Sequence, residues 1–218
     1  MIEKIIPGTD TKLRILKIIY EDKYINLSNL IKRAKTSPNL VLSYINKLVN
    51  FNVVAEQKSG GKIKVHIRNL MPNFKSNESK AIYSLIELDK KEIFFKKYKN
   101  LKIIFEQLYD LFDENIKFVI VYGSYARFSA TKESDLDLLI VGKLNDEKRK
   151  RLREAFITLD IEPSIKIETL KHFKNNLNKP LYKNIIKEHV IVYGEYSFIN
   201  MLDSLRVVEL NKRVPMNT

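Results

Sequence analysis

Residues Val121 to Val141 read V-Y-G-S-Y-A-R-F-S-A-T-K-E-S-D-L-D-L-L-I-V, and this stretch limits the possible folds more tightly than any other part of the chain. An apolar strand runs into a Gly-Ser turn, a polar excursion follows, and a second apolar strand opens with Asp135 and Asp137. Alternate residues on a strand share a face about 6.6 Å apart, so these two carboxylates stand side by side. Two bare carboxylates that close repel, and a shared proton or a bound cation relieves them. Paired hard oxygens suit Mg²⁺, which takes its remaining ligands from water and substrate phosphates. Gly123 and Ser124 open a short helix whose first amides favour phosphate oxygens. The pattern therefore brings a nucleotide and a metal ion to one place.

Composition decides what can surround such a site. With 218 residues, 44% of them hydrophobic, the chain can bury one large core or two small ones and is not a disordered polymer. It carries 39 basic against 26 acidic residues, a net charge of +13. Residues 1–72 hold 13 basic and 5 acidic side chains, so the bias lies mainly in the amino-terminal third, where it favours polyanions such as nucleic acid. A proteome rich in lysine accounts for it equally well. The absence of cysteine excludes disulfides, thiolate metal sites and cysteine nucleophiles. His66, His172 and His189 have no paired spacing that would make a zinc site, Ser124 lies in no nucleophile elbow, and no Walker-type loop is present. No signal-peptide core or membrane-length apolar run occurs, so a soluble, cytoplasmic protein without membrane contact is expected.

The amino-terminal third reads as three short helices and a hairpin. Leu13, Leu16, Ile19 and Tyr20 recur at helical spacing, Ser28 is placed to cap a second helix, and Thr36-Ser37-Pro38 opens a third that runs to about Asn50. Its buried stripe is Val41, Tyr44, Ile45, Leu48 and Val49. Phe51 to Lys58, a Ser59-Gly60-Gly61 turn and Lys62 to Arg68 form a β-hairpin with Ile63, Val65 and Ile67 inward. Residues 12–68 resemble a winged helix-turn-helix. That resemblance implies a third helix in the major groove and a wing on the DNA backbone, with Asn39, Ser43, Asn46, Lys47, Lys62 and Lys64 as DNA-binding residues. Leu40 and Leu42 also lie on the groove-facing side, and no arginine does, which leaves dimerisation or protein contact as the other use of such a domain.

Phe74 to Ile116 contains neither glycine nor proline and reads as two helices, or one bent helix. A charged helix over Asn145–Leu159, a strand within Ile161–Ile167, a helix over Leu181–Glu188 and a strand over Val190–Tyr193 follow. The pairing of G-S-Y-A-R with S-D-L-D-L-L-I-V, closed by L-Y-K-N-I-I-K-E-H-V-I-V-Y-G, resembles the minimal nucleotidyltransferases of the DNA polymerase beta superfamily across about residues 117–195. The expected layout is α+β: a winged helix-turn-helix over 1–72, a helical connector over 73–115, a nucleotidyltransferase domain with a small mixed sheet flanked by helices over 116–195, and a tail over 196–218.

The resemblance implies that Gly123, Ser124 and Arg127 hold the nucleotide's phosphates and that Asp135 and Asp137 bind Mg²⁺ or Mn²⁺ in a two-metal scheme. It also implies a third acid on a later strand. Glu162 and Glu168 share the face in question but lie about 20 Å apart, so only one can join the aspartates. The family's placement of that acid, early in the strand, favours Glu162 as third metal ligand and base. Phe128 stands where minimal members commonly have glycine. The expected activity is transfer of a nucleoside monophosphate from an NTP, ATP in particular, to a hydroxyl acceptor, which can be a toxin-like partner protein. A homodimer on double-stranded DNA is the expected assembly. The competing expectation is a DNA-binding regulator whose nucleotidyltransferase domain senses nucleotide or is inactive.

Overall fold

The computed structural model describes residues 8–59 and 67–203. The chain divides into two compact units, Met1–Ile86 and Glu87–Thr218.

The first unit contains α1 (Asp10–Asp22), β1 (Ile25–Asn26), α2 (Leu27–Ala34), α3 (Pro38–Asn50), β2 (Val54–Ser59), β3 (Ile67–Pro72) and the opening turns of α4 (Asn77–Lys97). Its antiparallel sheet has the order β1-β3-β2. The Ser37 hydroxyl accepts from the Leu40 amide (3.4 Å) with Pro38 in the first turn, so α3 begins where its residues predict. Val41, Tyr44, Ile45 and Leu48 face the core with Leu16, Ile19 and Leu30. Two local expectations fail. Helix α2 is capped by Asn26, whose side chain accepts from the Asn29 amide (2.8 Å), and not by Ser28, because the chain turns out of β1 two residues earlier. Ile67 is 49% exposed rather than inward. Strand β3 is flanked on both sides only at Asn69 and Leu70, and burial starts there. Lys62 and Lys64 lie outside the described residues.

The second unit comprises the rest of α4, then α5 (Lys99–Gln107), a 3-10 turn over Tyr109–Leu111, β4 (Ile116–Tyr122), α6 (Gly123–Ala126), β5 (Leu136–Gly142), α7 (Asp146–Ile157), β6 (Pro163–Glu168), α8 (Leu170–Asn176), α9 (Pro180–Lys187), β7 (Val190–Tyr193) and helical residues 195–203. The mixed sheet has the order β6-β5-β4-β7, with only β5 and β6 parallel. One face puts Val119, Val121, Leu138 and Ile140 against Phe105, Leu108, Leu152 and Phe156. The other packs Phe118 edge-on to Phe173 and Phe198 at 5.6 and 5.4 Å. Fully burying a phenylalanine stabilises by about 1.5–3 kcal/mol. Pro163 is unusual for a central strand, but β6 is an edge strand and Pro163 its first residue, where a missing N–H costs nothing. Helix α8 had no signal strong enough to read: its seven residues carry little apolar periodicity, and Thr169 caps it through the His172 amide (3.2 Å).

Candidate active site

Strand β4 delivers the Gly-Ser turn and β5 the aspartates, and their antiparallel register sets Tyr122 opposite Asp137. Gly123 has φ +70, and a Cβ there would stand 2.1 Å from Asp137 Oδ2. The turn thus passes against the carboxylate with room only for glycine. The four residues of α6 follow, closed by Arg127 and Phe128 amides donating to Gly123 and Tyr125 carbonyls.

Asp135, just before β5, is exposed, whereas Asp137 is half-buried. Burial pushes the Asp137 carboxyl above the usual carboxylate range and the Asp135 charge adds to that, while a Ser164 hydrogen bond and the Arg127 charge pull it back. Arg127 is half-exposed and 3.7 Å from Glu188. The repulsion inside the pair is therefore only partly offset by the protein. Two adjacent hard oxygen donors with uncompensated negative charge fit a divalent cation whose other ligands come from phosphates and water. Among the described residues no group of three or more His, Cys, Asp or Glu side chains is gathered so as to hold a metal.

The parallel β5–β6 register places Ser164 beside Asp137 and Glu168 beside Val141. The Leu136 amide donates to the Glu162 carbonyl (2.9 Å), so Glu162 stands at the level of Asp135, exposed. Glu168 is buried at the far end of the strand. It accepts from the Tyr182 hydroxyl (2.7 Å), and His172 Nδ1 lies 2.7 Å from the same oxygen. Lys166 donates to that hydroxyl as well (2.7 Å), so this knot fastens α8 and α9 to β6. Of the two glutamates, only Glu162 is on the aspartates' side.

Two residues enter the site without having been singled out from sequence. Ser164 is the side chain in register with Asp137, a fact that depends on strand alignment and not on motif. Tyr122 keeps its proton more tightly than usual, chiefly through burial and then through the charges of Asp137 and Glu168. Phe128 has φ +60, the left-handed conformation in which glycine is at ease. Its ring packs against the core cluster. It stacks on Tyr98 (6.2 Å) and meets Phe94 edge-on (6.3 Å), while Lys97 donates to its carbonyl (2.6 Å).

On α3, Asn39, Ser43, Asn46 and Lys47 are all exposed, and Asn46 Oδ1 accepts from Arg68 (3.1 Å). Arg68 also grips Glu56 through two hydrogen bonds of 2.9 and 2.8 Å, which ties β3 to β2.

Residues 106–198, which hold both aspartates and all four strands of the second sheet, match the family model for polymerase beta nucleotidyltransferases. They form a polymerase beta nucleotidyltransferase domain. The chain is thereby an enzyme of the nucleotidyltransferase class. Residues 9–54 match the model for winged helix-turn-helix DNA-binding domains. A protein of Methanocaldococcus jannaschii, provisionally named a protein adenylyltransferase, is 28% identical over 96 residues, which cover 44% of this chain and 96% of the relative. A crystal structure described as a toxin-antitoxin with AMP-PNP aligns with 53% of this chain and 91% of its own at 12% identity, with a TM-score of 0.33. No helix among the described residues is long and apolar enough to cross a membrane.

Proposed function

We propose that this nucleotidyltransferase moves AMP from ATP to a hydroxyl on a partner protein, with Mg²⁺ or Mn²⁺ at Asp135 and Asp137. The observation that carries the reading is the pairing of the Gly123 turn with Asp137, which puts a glycine-only backbone approach against a carboxylate pair short of positive charge. ATP and a protein acceptor are supported by the name of the Methanocaldococcus jannaschii relative, which extends over nearly all of that protein's length.

In this reading Gly123 and Ser124 present backbone amides to the outer phosphates, and Arg127 adds its charge. A bound divalent ion would neutralise charge on the leaving pyrophosphate. Glu162, exposed at the level of Asp135, accepts the acceptor's proton as its oxygen bonds to the α-phosphorus. The α–β phosphoanhydride breaks, and pyrophosphate leaves with the electron pair.

The test incubates full-length protein with ATP labelled at the α-phosphate, Mg²⁺ and an extract, beside an Asp135→Asn/Asp137→Asn control. Label on a protein band that depends on both aspartates is expected. Absence of label with any NTP, or equal labelling by the control, sinks the proposal.

A second reading is favoured by the winged helix-turn-helix match: the chain also binds duplex DNA through the exposed side of α3, and as a dimer reads two half-sites. Transfer and DNA binding then reside in different units, and the loss of either activity leaves the other measurable.

A further inference from the structure

Resting on the reading of the Gly123 turn as the phosphate site, we infer that Phe128 is a positioning residue for the nucleotide. It locks residues 123–129 in the binding shape, where a glycine would leave them free. The hydrogen bonds of this loop define the shape. After the four residues of α6, the Phe128 amide donates to the Tyr125 carbonyl (3.0 Å) and the Ser129 amide to the Ser124 carbonyl (3.0 Å). These two bonds make a Schellman cap, in which the residue after the C-cap is left-handed and most often glycine. Phe128 fills that place at φ +60. A residue with a Cβ is strained there and stays only where its surroundings hold it.

The hold comes from the junction between α4 and α5. Tyr98, which separates these helices, stacks on the Phe128 ring with 17° between the planes and lies 5.1 Å from the buried Tyr125 ring. One tyrosine thus grips the loop at two residues. Phe94 meets Phe128 edge-on (6.3 Å). Lys97 donates to the Phe128 carbonyl (2.6 Å), and its ammonium stands 5.5 Å from the centres of both the Phe128 and the Tyr98 rings. The Ser129 hydroxyl adds a second bond to the Ser124 carbonyl (3.3 Å). At the other end of the loop, Gly123 lies against Asp137 with no room for a Cβ. Ser124 and Arg127 are therefore carried on a loop pinned at both ends by the protein itself.

A glycine at 128 relieves the φ but removes the ring by which the loop is gripped. Apparent affinity scales with the fraction of molecules already in the competent shape, so a loop in that shape about one-tenth of the time binds about tenfold more weakly. A role in packing alone makes stability and affinity fall together. Positioning separates them, because relief of the left-handed strain offsets much of the lost packing while the loop gains freedom.

Equilibrium dialysis of the full-length protein with α,β-methylene ATP and Mn²⁺, beside thermal unfolding and hydrogen exchange at the Ser129 amide, tests this. Phe128→Gly is expected to unfold within about 4 °C of the natural chain, to exchange the Ser129 amide faster and to bind the analogue about tenfold more weakly. Phe128→Tyr, which keeps the stacked ring, is expected to retain natural affinity. Lys97→Met, which removes the donor to the carbonyl and leaves the rings, shifts affinity in the same direction as Phe128→Gly. Natural affinity in Phe128→Gly, or a loss matched by a large fall in unfolding temperature, overturns the inference and leaves nucleotidyl transfer intact. Unchanged affinity in Lys97→Met overturns the part given to the lysine. A natural chain that binds no analogue sinks the reading of the Gly123 turn as a phosphate site, and the inference with it.

Discussion

Gly123 and Asp137 are a single object, because each occupies the space the other leaves. Gly123→Ala would force a methyl to within 2.1 Å of a carboxylate oxygen at φ +70, so the turn and the strand must part. The variant is expected to lose nucleotide-dependent Mn²⁺ binding and about 1–3 kcal/mol of stability. Mn²⁺ binding that survives unchanged in a cooperatively folded variant would show that the turn can yield. Asp137→Asn is expected to act in the opposite sense on stability. It removes one charge from a like-charged pair that burial already penalises, so thermal unfolding rises by about 2 °C while transfer is lost. A fall in the unfolding temperature would mean that Asp137 stabilises the fold through its contacts. The aspartates and the Gly-Ser turn were legible in the sequence because motif spacing along one chain determines them. Ser164 was not, since its place beside Asp137 comes from the parallel register of β5 and β6, which local pattern along the chain does not record.

Elements with strong end signals were read closely. Helix α3 follows from Ser37 and Pro38, α7 from Asn145, whose side chain accepts from the Lys148 amide (2.8 Å), and β7 from its apolar run. Where two capping residues competed, as Asn26 and Ser28 do before α2, the tertiary path of the chain chose between them. Helix α7 is expected to lend a pH dependence of its own. Its Lys148 reaches Asp113 (2.7 Å) and its Arg151 reaches Asp110 (2.7 Å), and hydrogen bonds from these cations hold both carboxyls below the usual range. A folded-state value depressed in this way gives stability that is present above the unfolded-state value of about 3.9 and is lost as pH falls through the folded value. Melting temperature followed downward from pH 5 should therefore decline more steeply for the natural chain than for Asp110→Asn/Asp113→Asn. Parallel declines would show that these exposed pairs contribute nothing measurable, as many surface pairs do.

Along the whole sequence, the basic excess concentrates in residues 1–72, ahead of the stretch that carries Asp135 and Asp137. If α3 meets DNA, affinity for a duplex should fall linearly with the logarithm of salt concentration. Lys47→Ala should weaken binding uniformly across sequences and reduce that slope by about one. Binding that ignores salt would point to protein contact as the role of the winged helix. The other end of the molecular design concerns self-association. In a parallel ladder the residue set opposite a bonded neighbour turns its own amide outward. The Leu136 amide bonds to the Glu162 carbonyl, so Pro163 directs its nitrogen, which carries no hydrogen, to the open side of β6. A strand arriving from another molecule would find no donor at the level of the two aspartates, with the charge of Glu162 next to the gap. Open sheet edges invite unwanted pairing, and proline and charge are the usual deterrents. The edge beside the aspartates is thus left open to small molecules by its position in the sheet and is a poor template for aggregation.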